Sequence, residues 1–275
     1  MKLFSTEFRI LEHLPRDLAN SRAPDIKKQL ESIAGGKILD VATQGGSFIR
    51  TLIDLLLDYD SFIGIDISRE KWDDTRFSDN PVQFLEMNAE LLEFDDSSFD
   101  TVSISHSLHH LTSIEKVLVE MERVLRPNGY FILQEMFRDE PQSEAQKSDI
   151  LCHHWGAKID SLLGIPHNKT LTKKEIKLFA SQLKLNPEFI TESTHSVNCI
   201  LCDDKYKCDN PNNTSIINLA LKEVDKNLDK LQKGLDNGIL ENNSFVKELL
   251  LEGVRIKNRI NQYGSASHLF FIGRK

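Results

Sequence analysis

The chain has 275 residues, 40% hydrophobic and 28% charged, with 13 Gly and 8 Pro, an ordinary globular mix that excludes collagen-like and low-complexity architectures. Its formal net charge of −8 disfavours nucleic acid as a partner, since an acidic surface repels phosphate backbones. Four cysteines make no disulfide framework, no apolar run reaches the roughly 20 residues that span a bilayer, and the charged start MKLFSTEFRILEHLPRD lacks an apolar core, so a cytoplasmic protein without a membrane partner is expected.

Short β-rich runs alternate with helical patterns through the first half. Strands are predicted at 37–42 (KILDVA), 61–66 (SFIGID), 82–87 (VQFLEM), 100–105 (DTVSIS) and 130–135 (YFILQE). Phe48, Leu52, Ile53 and Leu56 fit a helical period, as do Ile114, Val117, Leu118, Met121, Val124 and Leu125. The second of these helices is predicted to stop at Pro127, with Asn128-Gly129 turning the chain into the next strand. Strands alternating with helices imply right-handed βαβ units and a doubly wound α/β sheet.

In the second half, 138–147 is polar and reads as loop, followed by an amphipathic region over 155–163. Thr172 and Glu175 form a capping-box pattern that opens a helix through about Leu183. Residues 188–192 (EFITE) and 268–272 (HLFFI) are strand-like. Between them lies a polar insertion in which Ile217, Leu221, Val224, Leu228, Leu231 and Leu235 make a heptad seam. Leu249, Gly253, Ile256 and Ile260 continue it after a turn at Asp236-Asn237-Gly238, so a helical hairpin is expected. It reads as a pair packed on the domain, or as a lid or homodimer arm. The predicted division is a core of 1–198 and 265–275 with an insertion of 199–264.

The chemistry starts at ILDVATQGGSF (38–48), a strand running through a small-residue loop into a helix. Such a loop lets a ligand approach the backbone, and the helix start offers unpaired N–H groups. Asp66 ends the second strand, at the distance where a carboxylate accepts both ribose hydroxyls; the alternative is that it caps the next helix. The G-x-G-x-x-G pattern of a dinucleotide site is absent, which counts against a nicotinamide-dependent dehydrogenase.

DVATQGG, GIDIS, NAELLEFDDSSFDTV, SHSLHHL and LRPNGYFIL, within residues 38–135, stand in the order and spacing of class I S-adenosylmethionine-dependent methyltransferases. The chain most resembles their small-molecule branch, which includes ubiquinone/menaquinone-type C-methyltransferases. The resemblance implies a mostly parallel seven-stranded sheet with the last strand antiparallel, S-adenosylmethionine as cofactor, and a small-molecule methyl acceptor. It implies that Asp40, Ala42, Thr43 and Gly46 lie under the methionine part and ribose, and that Asp66 holds the ribose. Ile67 would lie on the adenine, Asn88 and Ala89 would read its edge, and Ser105 and His106 would meet the amino acid part. The family's first two loop glycines are here Ala42 and Gln44, and Asn88 stands where the family often has Asp.

Should the acceptor need deprotonation, His109 and His110 after the fourth strand are candidate bases; the alternative is that this His-His-Leu is a structural helix start. Trp155, next to Cys152-His153-His154, either closes over a small ligand or anchors its segment. Cys199, Cys202, Cys208 and His195 resemble part of a metal site, but no second pair completes it, and free thiols without a metal is the preferred reading. The functional expectation is methyl transfer to a small molecule. The alternative is a cofactor-binding protein without transferase activity that engages a protein partner through the helical insertion.

Overall fold

Alternating apolar residues along the predicted strands give a sheet with two apolar faces, and helices cover both. The computed structural model describes residues 23–70, 72, 74–140, 142–193, 212 and 214–275. Its seven strands are β1 (Lys37–Val41), β2 (Ser61–Asp66), β3 (Val82–Glu86), β4 (Phe99–Ser105), β5 (Leu125–Met136), β6 (Asn186–Ser193) and β7 (His268–Arg274). They form one sheet in the order β3-β2-β1-β4-β5-β7-β6, parallel throughout except that β7 runs antiparallel to both neighbours. The doubly wound α/β expectation and the reversed last strand both hold.

Seven helices accompany the strands among the described residues: α1 (Ala23–Leu30), α2 (Ser47–Leu55), α3 (Ile114–Val124), α4 (Glu144–Leu162), α5 (Lys173–Gln182), α6 (Thr214–Asp236) and α7 (Ser244–Arg259). Ile38, Phe62, Ile132 and Phe270 pack against Ile26 and Leu30 of α1 and Ile49 and Leu52 of α2. Their strand neighbours Leu39, Val102, Ile104, Phe131 and Leu133 face the other way, onto Val117 and Met121 of α3 and Ile176 of α5. This is the period-2 alternation of a strand buried on both faces.

Two boundaries differ from the sequence reading. Helix α3 ends at Val124, short of Pro127, and β5 begins at Leu125. Proline pushes the residue before it out of the helical region, so the chain is already extended there. Lys275 closes this helix end, its Nζ donating to the carbonyls of Glu122 (2.6 Å) and Leu125 (2.8 Å). The second difference is α4, which begins at Glu144, inside the predicted loop 138–147 and well before the amphipathic region predicted from 155. Ser143 caps it, accepting from the Gln146 N–H, while the Gln146 side chain accepts from the Ser143 N–H at 2.8 Å. That Ser-x-x-Gln capping box is the same signal that marked Thr172 and Glu175, which cap α5 as expected.

The hairpin α6–α7 forms, and it packs with α4 into a three-helix layer around Trp155, Ile159, Val224, Leu231, Val246, Leu249 and Ile256. Trp155 is 1% exposed and its indole N–H donates to the Leu249 carbonyl at 3.0 Å. It therefore anchors α4 to α7, the second of its two readings. Asn243 caps α7 through two backbone N–H groups at 3.0 Å. None of the described helices is long and apolar enough to cross a membrane.

Candidate active site

In an open parallel sheet the crevice for a ligand lies beyond the carboxyl ends of the strands, where the strand order reverses. Here that point is between β1 and β4, with β2 on the far side of β1. The loop leaving β1 has three residues in the left-handed region: Ala42 (φ 54°), Gln44 (φ 45°) and Gly46 (φ 74°). Two of them carry side chains in a conformation that favours glycine. The loop is held by bonds from Thr43 N–H to the Ile65 carbonyl (2.9 Å) and from Gly46 N–H to the Thr43 carbonyl (2.8 Å). At Gly46 a Cβ would fall 2.8 Å from Phe77 and 2.9 Å from Phe84, so this glycine is required twice over.

Asp66, the last residue of β2, accepts from the Gln44 N–H at 2.9 Å and from the Ser68 N–H at 3.2 Å. The carboxylate thus fixes the β1 loop and the turn after β2 together. Asn88 Oδ1 accepts from the Glu90 N–H at 2.9 Å, which sets the turn after β3. Around these turns lies a cavity of about 350 Å³, lined by Ala42, Asp66, Ile67, Met87, Asn88 and Ala89 among others. Ile67 is 68% exposed there, an apolar side chain open for a planar ring.

A second cavity, of about 230 Å³, adjoins the first, sharing Ala42, Gln44 and Ser107. Asp40, Thr43, Ser105 and His106 line it. Asp40 is 1% exposed, and the Ser103 hydroxyl donates to its Oδ1 at 2.7 Å. Burial pushes its carboxyl up to about 6, with Asp66 adding to the rise and the hydroxyl bonds opposing it. An ammonium group entering this cavity would meet a buried carboxylate with no cationic side chain bonded to it. His106 stands at φ 52° at the end of β4, and burial lowers its imidazole below the usual range. Of the ten predicted cofactor residues, nine line the paired cavities, and Gly46 shapes the loop behind them.

A third cavity, of about 780 Å³, touches the first through Gln44 and His110. Its walls come from α4 (Asp149, Cys152, His153, Gly156, Asp160), from His167, and from α6 between Ala220 and Lys233. Of the two candidate bases, His110 lines this space. His109 does not: it is 1% exposed, with its Nδ1 2.8 Å from Glu135 Oε1. Burial pushes Glu135 up, but His109 and the Leu108 N–H hold its carboxyl below the usual range. Burial holds His110 down to about 3 and His153 down to about 2. The structure also brings in His153 and His167, which the sequence pattern did not connect with the His-His pair. Cys199, Cys202, Cys208 and His195 lie outside the described residues.

The paired cavities suit S-adenosylmethionine. An open apolar side chain faces one end, a carboxylate the middle, and an uncompensated buried carboxylate the amino acid end.

Comparison with known proteins agrees. Residues 39–133 match the family model for a methyltransferase domain. The ubiquinone/menaquinone biosynthesis C-methyltransferase of Hahella chejuensis is 35% identical over 109 residues, covering 37% of this chain and 43% of that protein. Its counterpart from Yersinia enterocolitica is 29% identical over 163 residues, covering 56% of this chain and 61% of that protein. The chain thus spans about half the length of these relatives. Among solved structures, the [4+2]-cyclase SpnF aligns over 92% of this chain and 79% of its own, with TM-score 0.55 and 14% identity. The MccD protein aligns over 92% and 96%, with TM-score 0.51 and 17% identity. At these identities the structural likeness speaks for the fold alone. The sequence match runs from β1 to β5 and takes in the ends of β1 to β4, whose following loops line the paired cavities, so residues 39–133 are a methyltransferase domain.

Proposed function

We propose that the protein transfers a methyl group from S-adenosylmethionine to a small molecule held in the 780 Å³ cavity. The observation that carries this is the continuity of the cavities: Gln44 and His110 line both the cofactor end and the larger space. The cofactor supplies a methyl carbon already activated by its sulfonium, so the protein has chiefly to align the acceptor and exclude water. In this reading Asp66 receives the ribose hydroxyls, Ile67 covers the adenine and Asn88 with Ala89 meets its edge. Asp40 receives the ammonium, with Ser105 and His106 closing that end. His110 lies at the junction, where it contacts the acceptor.

The relatives' names point to C-methylation of quinone precursors. The walls of the larger cavity nonetheless come mainly from residues 149–263, outside the segment matched by the methyltransferase model. The acceptor is therefore set by this chain's own α4 and α6. The test is calorimetric binding of S-adenosylhomocysteine, followed by transfer of labelled methyl groups to a panel of dihydroxylated aromatics, small amines and thiols. Micromolar binding with turnover of one class supports the reading. No binding of the cofactor product, or binding with no transfer to any class, overturns it.

A further inference from the structure

We propose that His109, His110, His153 and His167 bind one late first-row divalent metal ion, with zinc as the type case, at the junction between the cofactor end and the larger cavity. Each offers a ring nitrogen, and the four nitrogens all lie within 4.8 Å of one another. The residues come from three places in the fold. His109 and His110 sit on the 3₁₀ turn Leu108–His110 after β4, His153 is on α4, and His167 is in the segment after α4.

Three features separate this cluster from an aromatic patch. First, the lone pairs converge. His109 Nδ1 is turned to Glu135, which leaves Nε2 as its free ring nitrogen, buried and with no hydrogen-bond partner among the described residues. His167 Nδ1 is 2.7 Å from Asp160 Oδ2, and its Nε2 lies 3.0 Å from His153 Nε2. With its proton on Nδ1, His167 presents a bare lone pair to His153. Two ligand nitrogens at the usual 2.0–2.1 Å from a tetrahedral zinc are about 3.3 Å apart, close to this spacing.

Second, two of the four imidazoles have the outer partners that metal-bound histidines have. A carboxylate on the far ring nitrogen fixes the tautomer and raises the donor strength of the other. Glu135 does this for His109; its Oε2 also accepts from the Leu108 N–H at 2.7 Å and its Oε1 from the Met136 N–H at 2.9 Å. Asp160 does it for His167 and is itself paired with Lys230. Third, the donor set is chemically selective: neutral imidazoles suit zinc, copper, iron and nickel, whereas magnesium and calcium require oxygen. The two outer carboxylates offset the charge of a divalent ion in a largely enclosed place.

The ion would tie the turn after β4, whose His110 lines the first cavity, to the wall of the larger cavity, through His153 and His167. It is independent of the methyltransferase reading, since metal binding is read without cofactor or acceptor. The full-length protein, stripped with a chelator, is titrated with Zn²⁺ alone by calorimetry and with Co²⁺ alone by visible absorption. The expected result is one ion per chain, with a tetrahedral cobalt spectrum that lacks a thiolate charge-transfer band. His153→Ala and His167→Ala should each weaken binding by about 100-fold, and Asp160→Asn by about 10-fold, as outer partners do. Replacing Cys199, Cys202 and Cys208 together by Ser should leave binding unchanged. No stoichiometric binding of either ion overturns the proposal, as does a thiolate band, or binding lost in the cysteine variant and kept in the histidine ones. The cobalt spectrum of the unsubstituted protein identifies nitrogen or sulfur ligands even where a variant fails to fold.

Discussion

The backbone N–H of Gln44 donates to the carboxylate of Asp66 at 2.9 Å, across from the end of β1 to the end of β2. One oxygen of the acid expected to hold the ribose is thus already engaged in shaping the loop beneath the cofactor. The loop and the acid form one preorganised unit.

Replacing Asp66 should therefore cost more than one ligand contact. Asp66→Ala is expected to weaken S-adenosylhomocysteine binding by at least roughly 1.5–3 kcal/mol, about 10- to 150-fold, the usual worth of one hydrogen bond to a charged group, with the lost loop bond adding to it. Asp66→Asn keeps an acceptor for the Gln44 N–H and should lose less. Calorimetry on both variants checks this; equal losses would separate ribose binding from the loop bond.

Gln44 bears its side chain at φ 45°. For a non-glycine residue that conformation costs about 1–2 kcal/mol, against 0.5–1 kcal/mol of extra chain entropy lost by glycine. Gln44→Gly should thus be neutral to about 1.5 kcal/mol stabilising in urea unfolding. Gly46→Ala should be clearly destabilising, because a Cβ there meets Phe77 and Phe84 as well as the wrong φ.

Asp40 gives a pH dependence of definite sign. Its folded value of about 6 lies above the ordinary 3.8, so the folded state binds the proton more tightly than the unfolded one. Its contribution is most favourable below pH 3.8 and is lost as pH rises to 6. At neutral pH it amounts to a penalty of about 3 kcal/mol, at 1.36 kcal/mol per pK unit. Asp40→Asn is expected to unfold at higher urea than the unsubstituted protein at pH 7.5, with the difference shrinking towards pH 4. The same variant should bind S-adenosylhomocysteine less well, as a site that holds a charge at the expense of stability would.

Trp155→Ala should lower stability by about 3–5 kcal/mol, the cost of emptying a large buried aromatic site. It also removes the indole hydrogen bond to the Leu249 carbonyl, and with it a tie between α4 and α7. Gly253 packs against the same indole, so Gly253→Ala should shift the ring or α7 and lower the melting temperature as well.

The parallel core was legible because its residues answer to local rules. KILDVA, SFIGID and DTVSIS are short, apolar and bounded, and each became a strand within a residue or so of its predicted limits. The candidate cofactor residues were legible through their resemblance to a family and their places at strand ends. α4 was missed at its start because its polar first turns resemble a loop, although Ser143 and Gln146 carry the same capping-box pattern as Thr172 and Glu175. The meeting of His109 and His110 with His153 and His167 could not be read from spacing. It depends on how α4 leaves β5 and on the turn that returns to Thr170, a matter of tertiary packing. The one local clue was His153 itself, beside a tryptophan and a cysteine.

Strand β6 pairs only with β7, yet residues 194–267 separate the two in the chain. Closing so long a segment costs entropy before the pairing returns anything, and contacts of this sequence separation slow folding. The α6–α7 hairpin is a local structure that can form first and, once docked on α4 through Trp155, brings the ends of the segment closer. Loosening that dock should then slow the last step of sheet assembly more than it weakens the finished sheet.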